Sequence, residues 1–277
     1  MLIKISKSIE VILENEEIKL TEDLKKDIDL FWKDLIEKNP CLWDGEDVCV
    51  QDLKELENKI IITCKKTKYS HYLYDEKIGI LDEKYKCSCL WGGILLKTKD
   101  KYFVIGEMAE NTSVPHCLQI SGGGIDKIDL EDGKINIVKS IERELKEELN
   151  LELNNLEQIT DYKIKYLEVP EARRNAYGVI AIGNLNMTKQ EMEEHYKEYL
   201  NYLKDNKGEI EFKSLKFIPL KNATKILNNI SNPKRVYLND LLDFEEEKNN
   251  KNGEEKWNKQ LHMSYYMNVN KLAQEEE

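Results

Sequence analysis

The chain has no apolar run approaching the roughly 18 to 20 residues of a membrane span, and Met1-Leu2-Ile3-Lys4-Ile5 lacks the long apolar core of a signal peptide. Both absences lead to the expectation of a cytoplasmic protein. Zinc spacing is missing as well. The six cysteines, Cys41, Cys49, Cys64, Cys87, Cys89 and Cys117, include one close pair, and His71, His116, His195 and His262 stand alone, so no tetrahedral ligand set is spelled out. They read as reduced, mostly buried small hydrophobes. A basic excess is also wanting. With 42 Lys and Arg against 53 Asp and Glu, net −11, the chain has no bulk charge with which to grip a nucleic-acid backbone.

What is present is an ordinary globular balance: 277 residues, 40% hydrophobic and 8% aromatic. That length suits one elaborated domain or two small ones. Ile9, Val11 and Leu13, then Ile18 and Leu20, suggest two short strands around a Glu14 to Glu17 turn. Thr21 stands as an N-cap before Glu22 and Asp23, and Leu24, Ile28, Phe31 and Leu35 give the helical stripe that follows, ending before Asn39-Pro40. Short β-rich runs at Val48 to Val50 and Lys59 to Cys64 complete a mixed α/β region over residues 1 to 84.

From Cys87 two apolar runs joined by a charged turn at Thr98 to Lys101 read as a hairpin, and a loop with Pro115 leads to Ser121-Gly122-Gly123-Gly124. Residues 137 to 149 read as helix, because Val138, Ile141, Leu145 and Leu149 form one stripe. Strands are expected at 162 to 168, 176 to 185 and 210 to 218, with a charged surface helix from Thr188 to Lys204. Residues 244 to 256 read as a polar linker before a docked terminal helix carrying Trp257, Leu261, Tyr265 and Leu272. Strand, glycine loop, acidic helix, then more strands is an α/β arrangement.

The chemistry concentrates in Arg143-Glu144-Leu145-Lys146-Glu147-Glu148-Leu149. At about 100° per residue, Glu144, Glu147 and Glu148 share an arc of roughly 100° beside the apolar stripe. Like charges at these spacings repel by about a few tenths of a kcal/mol per pair in water, more when buried. Such a set calls for a cation, and three carboxylates without His or Cys are hard ligands suited to Mg²⁺ or Mn²⁺. The plainer alternative is a solvated face partnered by Lys139 and Lys146.

Joined to the glycine run, this segment resembles the box of the Nudix hydrolases: a glycine, a glutamate, then Arg-Glu-aliphatic-any-Glu-Glu-any-Gly-aliphatic. Arg143, Glu144, Leu145, Glu147, Glu148 and Leu151 match at their positions, and Gly122-Gly123 match the opening pair. The resemblance covers residues 86 to 220 and departs from the pattern in three places. Gly123 to Arg143 spans 20 residues, six more than usual; Asp129 stands where the glutamate is expected, with Glu131 and Asp132 as other partners for Arg143; and Asn150 replaces the glycine after the box. Asn tolerates left-handed backbone, so a helix cap can survive that change.

The resemblance implies a Nudix-type α/β/α sandwich over residues 85 to 243, with a mixed N-terminal extension and a C-terminal helix. It also implies Glu144, Glu147 and Glu148 as Mg²⁺ or Mn²⁺ ligands, Arg143 as the residue that fixes the helix, and Gly122, Gly123 and Gly124 as a tight turn near substrate. The general base is left open among Glu211, Glu168 and Glu171; Arg173 and Arg174 are candidate phosphate clamps. Asn39-Pro40-Cys41-Leu42-Trp43-Asp44-Gly45 resembles a stretch in a UDP-sugar-cleaving branch of the family, which suggests a nucleotide sugar such as UDP-glucose, with Asp44 as an acceptor for sugar hydroxyls. A non-catalytic Nudix-fold binding or regulatory module is the alternative, favoured by the insertion and by Asn150. Neither nucleic acid nor membrane is an expected partner, and oligomeric state is undetermined at this level.

Overall fold

Thr21 starts the first helix as its place before two acids requires. In the computed structural model, which describes residues 1–131, 133–170 and 175–246, its side chain accepts the Leu24 N–H at 3.3 Å. The first half of the chain runs β1 (Leu2–Lys4), β2 (Ser8–Glu17), α1 (Glu22–Lys38), β3 (Glu46–Glu55), β4 (Lys59–Lys68), α2 (Tyr69–Lys77), β5 (Cys89–Lys97), β6 (Tyr102–Met108), β7 (Leu118–Gln119) and β8 (Ser121–Gly124). The second half runs β9 (Leu130–Glu131), β10 (Lys134–Ile135), α3 (Ile137–Leu149), β11 (Ile159–Glu168), β12 (Ala176–Leu185), α4 (Lys189–Asp205), β13 (Phe212–Pro219), α5 (Ala223–Asn228) and α6 (Tyr237–Glu245).

Helices cover both faces of the sheet. The central strands β5 and β12 pair in parallel and alternate their side chains: Leu90, Ile94, Val179 and Ala181 enter one core with Ile141, Leu145 and Leu149 of α3 and Met192 of α4. Trp91, Leu95, Ile180 and Ile182 enter a second core with Leu73 of α2, Leu227 of α5 and Leu238 and Leu241 of α6. This is the expected α/β/α sandwich. The period-2 alternation of strands buried on both faces is what makes two helical layers necessary.

Three local expectations are corrected. The Glu14 to Glu17 turn does not form; β2 continues to Glu17, with a register shift after Leu13 where it pairs β4, and Lys65 offers its ammonium to Glu14 and Glu16, each at 3.4 Å. A cross-strand cation thus compensates a run of acids that reads locally as a turn. Gly122 to Gly124 are strand rather than turn, because Gly122 and Gly123 pair with Gly93 and Gly92 of β5. The stretch read as linker loses its first residues to α6, whose Glu245 is buried among Lys97, Lys165 and Tyr166. Trp257, Leu261, Tyr265 and Leu272 lie outside the described residues.

One edge of β5 is shared by three partners in succession, and this positions the site. Cys89 pairs with Cys49 of β3, Trp91 to Ile94 pair with β8, and Leu96 and Lys97 pair with β6. β3 and β8 therefore leave the same edge within two residues of each other. The gap between them is a cavity.

Candidate active site

The cavity measures about 370 Å³. One wall is the start of β3, Gly45 to Asp47; the other is β8 with the acidic helix α3 behind it; Cys89 and Trp91 of β5 lie between.

α3 begins at Asn136, whose side chain accepts the Lys139 N–H at 3.1 Å, and ends at Asn150 in left-handed geometry, φ 53° and ψ 39°. The Asn150 N–H bonds Lys146 O at 3.1 Å and the Leu151 N–H bonds Leu145 O at 3.3 Å, the pattern a C-terminal glycine ordinarily closes. Asn in place of glycine leaves the helix end intact. The apolar stripe of Ile141, Leu145 and Leu149 is fully buried, each side chain contributing about 1.5–3 kcal/mol, and it fixes the rotation that carries the acids beside it into the cavity wall.

Glu144 and Glu148 are buried, and Glu147 is half exposed. The Glu148 Oε2 accepts the Gly122 N–H at 2.9 Å, while its Oε1 is buried with no hydrogen bond. Glu144 presses its carboxylate on Gly123: a Cβ there would stand 2.5 Å from Oε1 and 2.7 Å from Oε2. Gly122 is equally constrained, since a Cβ would meet Gly92 O at 2.4 Å. At Gly124 a Cβ would meet nothing within 4 Å, and its contribution is a carbonyl that accepts from Arg143 at 2.9 Å.

Burial first, and then the negative charges of Glu211 and Glu147, push the Glu144 carboxyl up to about 8 against the opposing pull of Arg143. Burial drives Glu148 well above the carboxylate range, reinforced by Glu144 and Glu211. Glu211, immediately before β13, is raised to about 7 by burial and by Glu209 and Glu147. It lines the same cavity as Glu144 and Glu147. Glu168 does not; it is buried and accepts the Trp91 indole N–H at 2.9 Å. Glu171, Arg173 and Arg174 lie outside the described residues.

Arg143 pairs with Asp129 through Nε at 3.4 Å and Nη2 at 3.1 Å, while Asp132 lies outside the described residues. Asp129 is wholly buried and accepts the Asp126 N–H at 2.9 Å, so it ties the inserted segment to α3. Arg143 also reaches Glu144 at 2.6 Å and Glu147 at 3.0 Å. Part of the cation the three carboxylates call for is therefore supplied from within the helix, because position i+4 brings Glu147 back over the guanidinium. Lys139 and Lys146 take no part, pairing instead with Glu131 at 3.2 Å and Glu152 at 2.8 Å. In this arrangement no group of three His, Cys, Asp or Glu among the described residues is disposed around a metal position. The donors nonetheless suit a hard cation: two buried carboxylates, one with an oxygen lacking any partner, and a third half-exposed carboxylate held by one arginine nitrogen.

Asp44 sits one step behind the cavity. Its Oδ1 accepts the Ser70 N–H at 2.8 Å and its Oδ2 the Ser70 hydroxyl at 3.0 Å, capping α2, for which Lys68 supplies no side-chain bond. The neighbours of Asp44 line the cavity instead: Trp43, 76% exposed, lies over Gly45, where a Cβ would meet the ring at 2.8 Å. Asn39 anchors this turn by donating to Asn111 O at 3.3 Å and Thr112 O at 3.4 Å.

Two lining residues carry no signal in the sequence. Asp47, 8% exposed, is an acid opening an apolar strand, and burial raises its carboxyl to about 7. Arg235, between α5 and α6, reaches the cavity because its segment docks on β7.

No family model matches the chain, and no curated protein matches it. Among solved structures, the C. elegans Ap4A hydrolase in a binary complex is similar at 17% identity and TM-score 0.34, over 56% of this chain and 92% of that one. The MutT protein from Methanosarcina mazei Go1 aligns at 12% and 0.35, over 56% and 91%. The NUDIX domain of Shewanella oneidensis NrtR, complexed with ADP ribose, aligns at 15% and 0.35, over 61% and 93%. Likenesses at this level assign the chain no family, activity or substrate.

Proposed function

We propose that the chain is a divalent-cation-dependent Nudix hydrolase that cleaves the diphosphate of a nucleoside diphosphate linked to a second group. The observation that carries this reading is the buried pair Glu144 and Glu148: Glu144 lines the cavity against Gly123, and Glu148, buried behind Gly122, keeps an Oε1 that lacks a partner. Buried carboxylates without a partner are costly, and a bound cation offsets that cost.

Glu144, Glu147 and Glu148 would hold Mg²⁺ or Mn²⁺, which supplies neutralisation of charge on the diphosphate and a lowered pKa for an attacking water. Arg143, anchored on Asp129, sets the helix and the aim of Glu144. Glu211, which lines the same cavity as Glu144 and Glu147, is the candidate to accept the water proton. The β8 glycines make room for the β5 backbone and the Glu144 carboxylate, and their strand forms the wall along which the diphosphate would lie. The water oxygen joins one phosphorus and the bridging P–O bond breaks. With a nucleotide sugar such as UDP-glucose, the leading substrate, the products are UMP and a sugar 1-phosphate. The Asn39–Gly45 turn, with Trp43 and Gly45 on the cavity, supports a role for the N-terminal region in recognising the group beyond the diphosphate.

One observation favours a second reading, a non-catalytic binding module: Arg143 already neutralises Glu144 and Glu147. Phosphate-ester release from UDP-glucose, ADP-ribose and dinucleoside polyphosphates, with and without Mg²⁺, separates the two. Hydrolysis that requires Mg²⁺ and disappears in Glu148→Gln supports the enzyme. Binding of these compounds without turnover at any Mg²⁺ concentration would establish the module.

A further inference from the structure

We infer that Arg235 is the receptor for the phosphoryl group that lies away from the acidic cluster, an assignment that rests on the diphosphate reading of the cavity.

Among the described residues, two guanidinium groups line the cavity, Arg143 and Arg235. Arg143 is spent on Asp129, the Gly124 carbonyl, Glu144 and Glu147. Arg235 is not. Its Nε donates to Gln119 Oε1 at 3.1 Å, and its two Nη groups have no hydrogen bond or ion pair among the described residues. Glu46, Asp47 and Asp126 join Glu144, Glu147 and Glu211 on the lining, so the cavity is rich in carboxyl groups and an anion is best received where a cation meets it. A divalent cation at Glu144, Glu147 and Glu148 serves one phosphoryl group. Among the described residues, Arg235 is the lining cation with donors left for the other.

The guanidinium is also held in a fixed orientation. The Leu118 N–H bonds Pro233 O at 2.8 Å and the Arg235 N–H bonds Leu118 O at 3.1 Å, so this segment lies on β7 as a short parallel bridge. Gln119, the next residue of β7, is buried, and its Oε1 takes the Nε proton. Both the backbone and Nε are thereby fixed by one strand, which leaves the Nη1–Nη2 edge as a planar fork. That edge matches two oxygens of a phosphoryl group, a geometry that a lysine ammonium does not reproduce. The Gln119 amide nitrogen likewise has no partner among the described residues and adds a neutral donor beside the fork.

The test is calorimetric binding of methylenediphosphonate, a non-hydrolysable diphosphate, to the Mn²⁺-loaded full chain, with Mn²⁺ affinity measured separately. Arg235→Gln should weaken the diphosphonate by about 10-fold or more, the loss of a charge-assisted pair, with Mn²⁺ affinity unchanged. Arg235→Lys, which keeps the charge and the backbone bonds, should give a smaller loss. Unchanged diphosphonate affinity in Arg235→Gln overturns the assignment; should that variant not fold, unchanged affinity in Arg235→Lys does so. A wild-type protein that binds Mn²⁺ but no diphosphonate overturns the diphosphate reading itself, and the receptor with it.

Discussion

Asp47→Asn isolates the electrostatic cost of building this cavity. The wild-type carboxyl accepts the Val48 N–H at 2.7 Å, a bond the amide oxygen of Asn can keep, so the substitution removes ionisation while preserving shape. Burial raises the Asp47 carboxyl from 3.8 to about 7. A native pKa above the unfolded value means that the folded state holds the proton more tightly. Below pH 4 both states are protonated and Asp47 costs nothing. Between pH 4 and 7 the unfolded chain ionises first, and stability falls by about 1.4 kcal/mol per pH unit. Above pH 7 both states are ionised and the cost is constant. The shift of about three units sets a ceiling of about 4 kcal/mol, and water at the cavity face brings the expected value nearer to about 2 kcal/mol. Urea denaturation in EDTA at pH 4, 6 and 8 reads the difference between the two proteins. Glu144, Glu148 and Glu211 titrate in both and cancel. Asp47→Asn should match the wild type at pH 4 and exceed it by about 2 kcal/mol at pH 8. Parallel stability curves would refute the reasoning.

Mg²⁺ should raise the melting temperature of the wild type by mass action, and Glu147→Gln, at a half-exposed position, should remove most of that increment with little change in the metal-free protein; an equal increment in both contradicts the ligand assignment. Gly123→Ala places a methyl 2.5 Å from Glu144 Oε1 and should displace that carboxylate, lowering Mg²⁺ affinity in calorimetry while the melting temperature stays close to wild type. Undiminished affinity would show that Glu144 does not need that position. Asp44→Ala removes both acceptors at the start of α2 and should lower stability by about 1 kcal/mol in urea denaturation; an unchanged midpoint would contradict its capping role.

Which features were legible in the sequence follows from how local their causes are. Helix α3 is legible over residues 137 to 149 because its apolar stripe lies within one segment, and α1 and α4 are legible because their caps, Thr21 and Thr188, are equally local. The Arg143 pairing with Asp129 was among the expected options, since it spans only 14 residues. Helix α2 was not foreseen. Its Ser70, His71, Tyr72, Leu73 and Asp75 are all buried, so it presents no polar face from which a period could be read. The glycine run read as a turn because its partner is a second glycine pair some 30 residues away, and nothing local reports that pairing. Asp47 and Arg235 reach the cavity only through the sharing of the β5 edge and the docking of Pro233 to Arg235 on β7. These are contacts of sheet order. A periodicity argument has no access to them.

The central claim is that water attacks phosphorus within a diphosphate. It is tested most directly by turnover of UDP-glucose in oxygen-18 water with Mg²⁺, followed by mass spectrometry of the products. The account predicts one solvent oxygen on a phosphate of either UMP or the sugar phosphate, and none in Glu148→Gln, where turnover should fail. Label on the sugar hydroxyl, with UDP as the other product, would place the cleavage at the glycosidic carbon and contradict it.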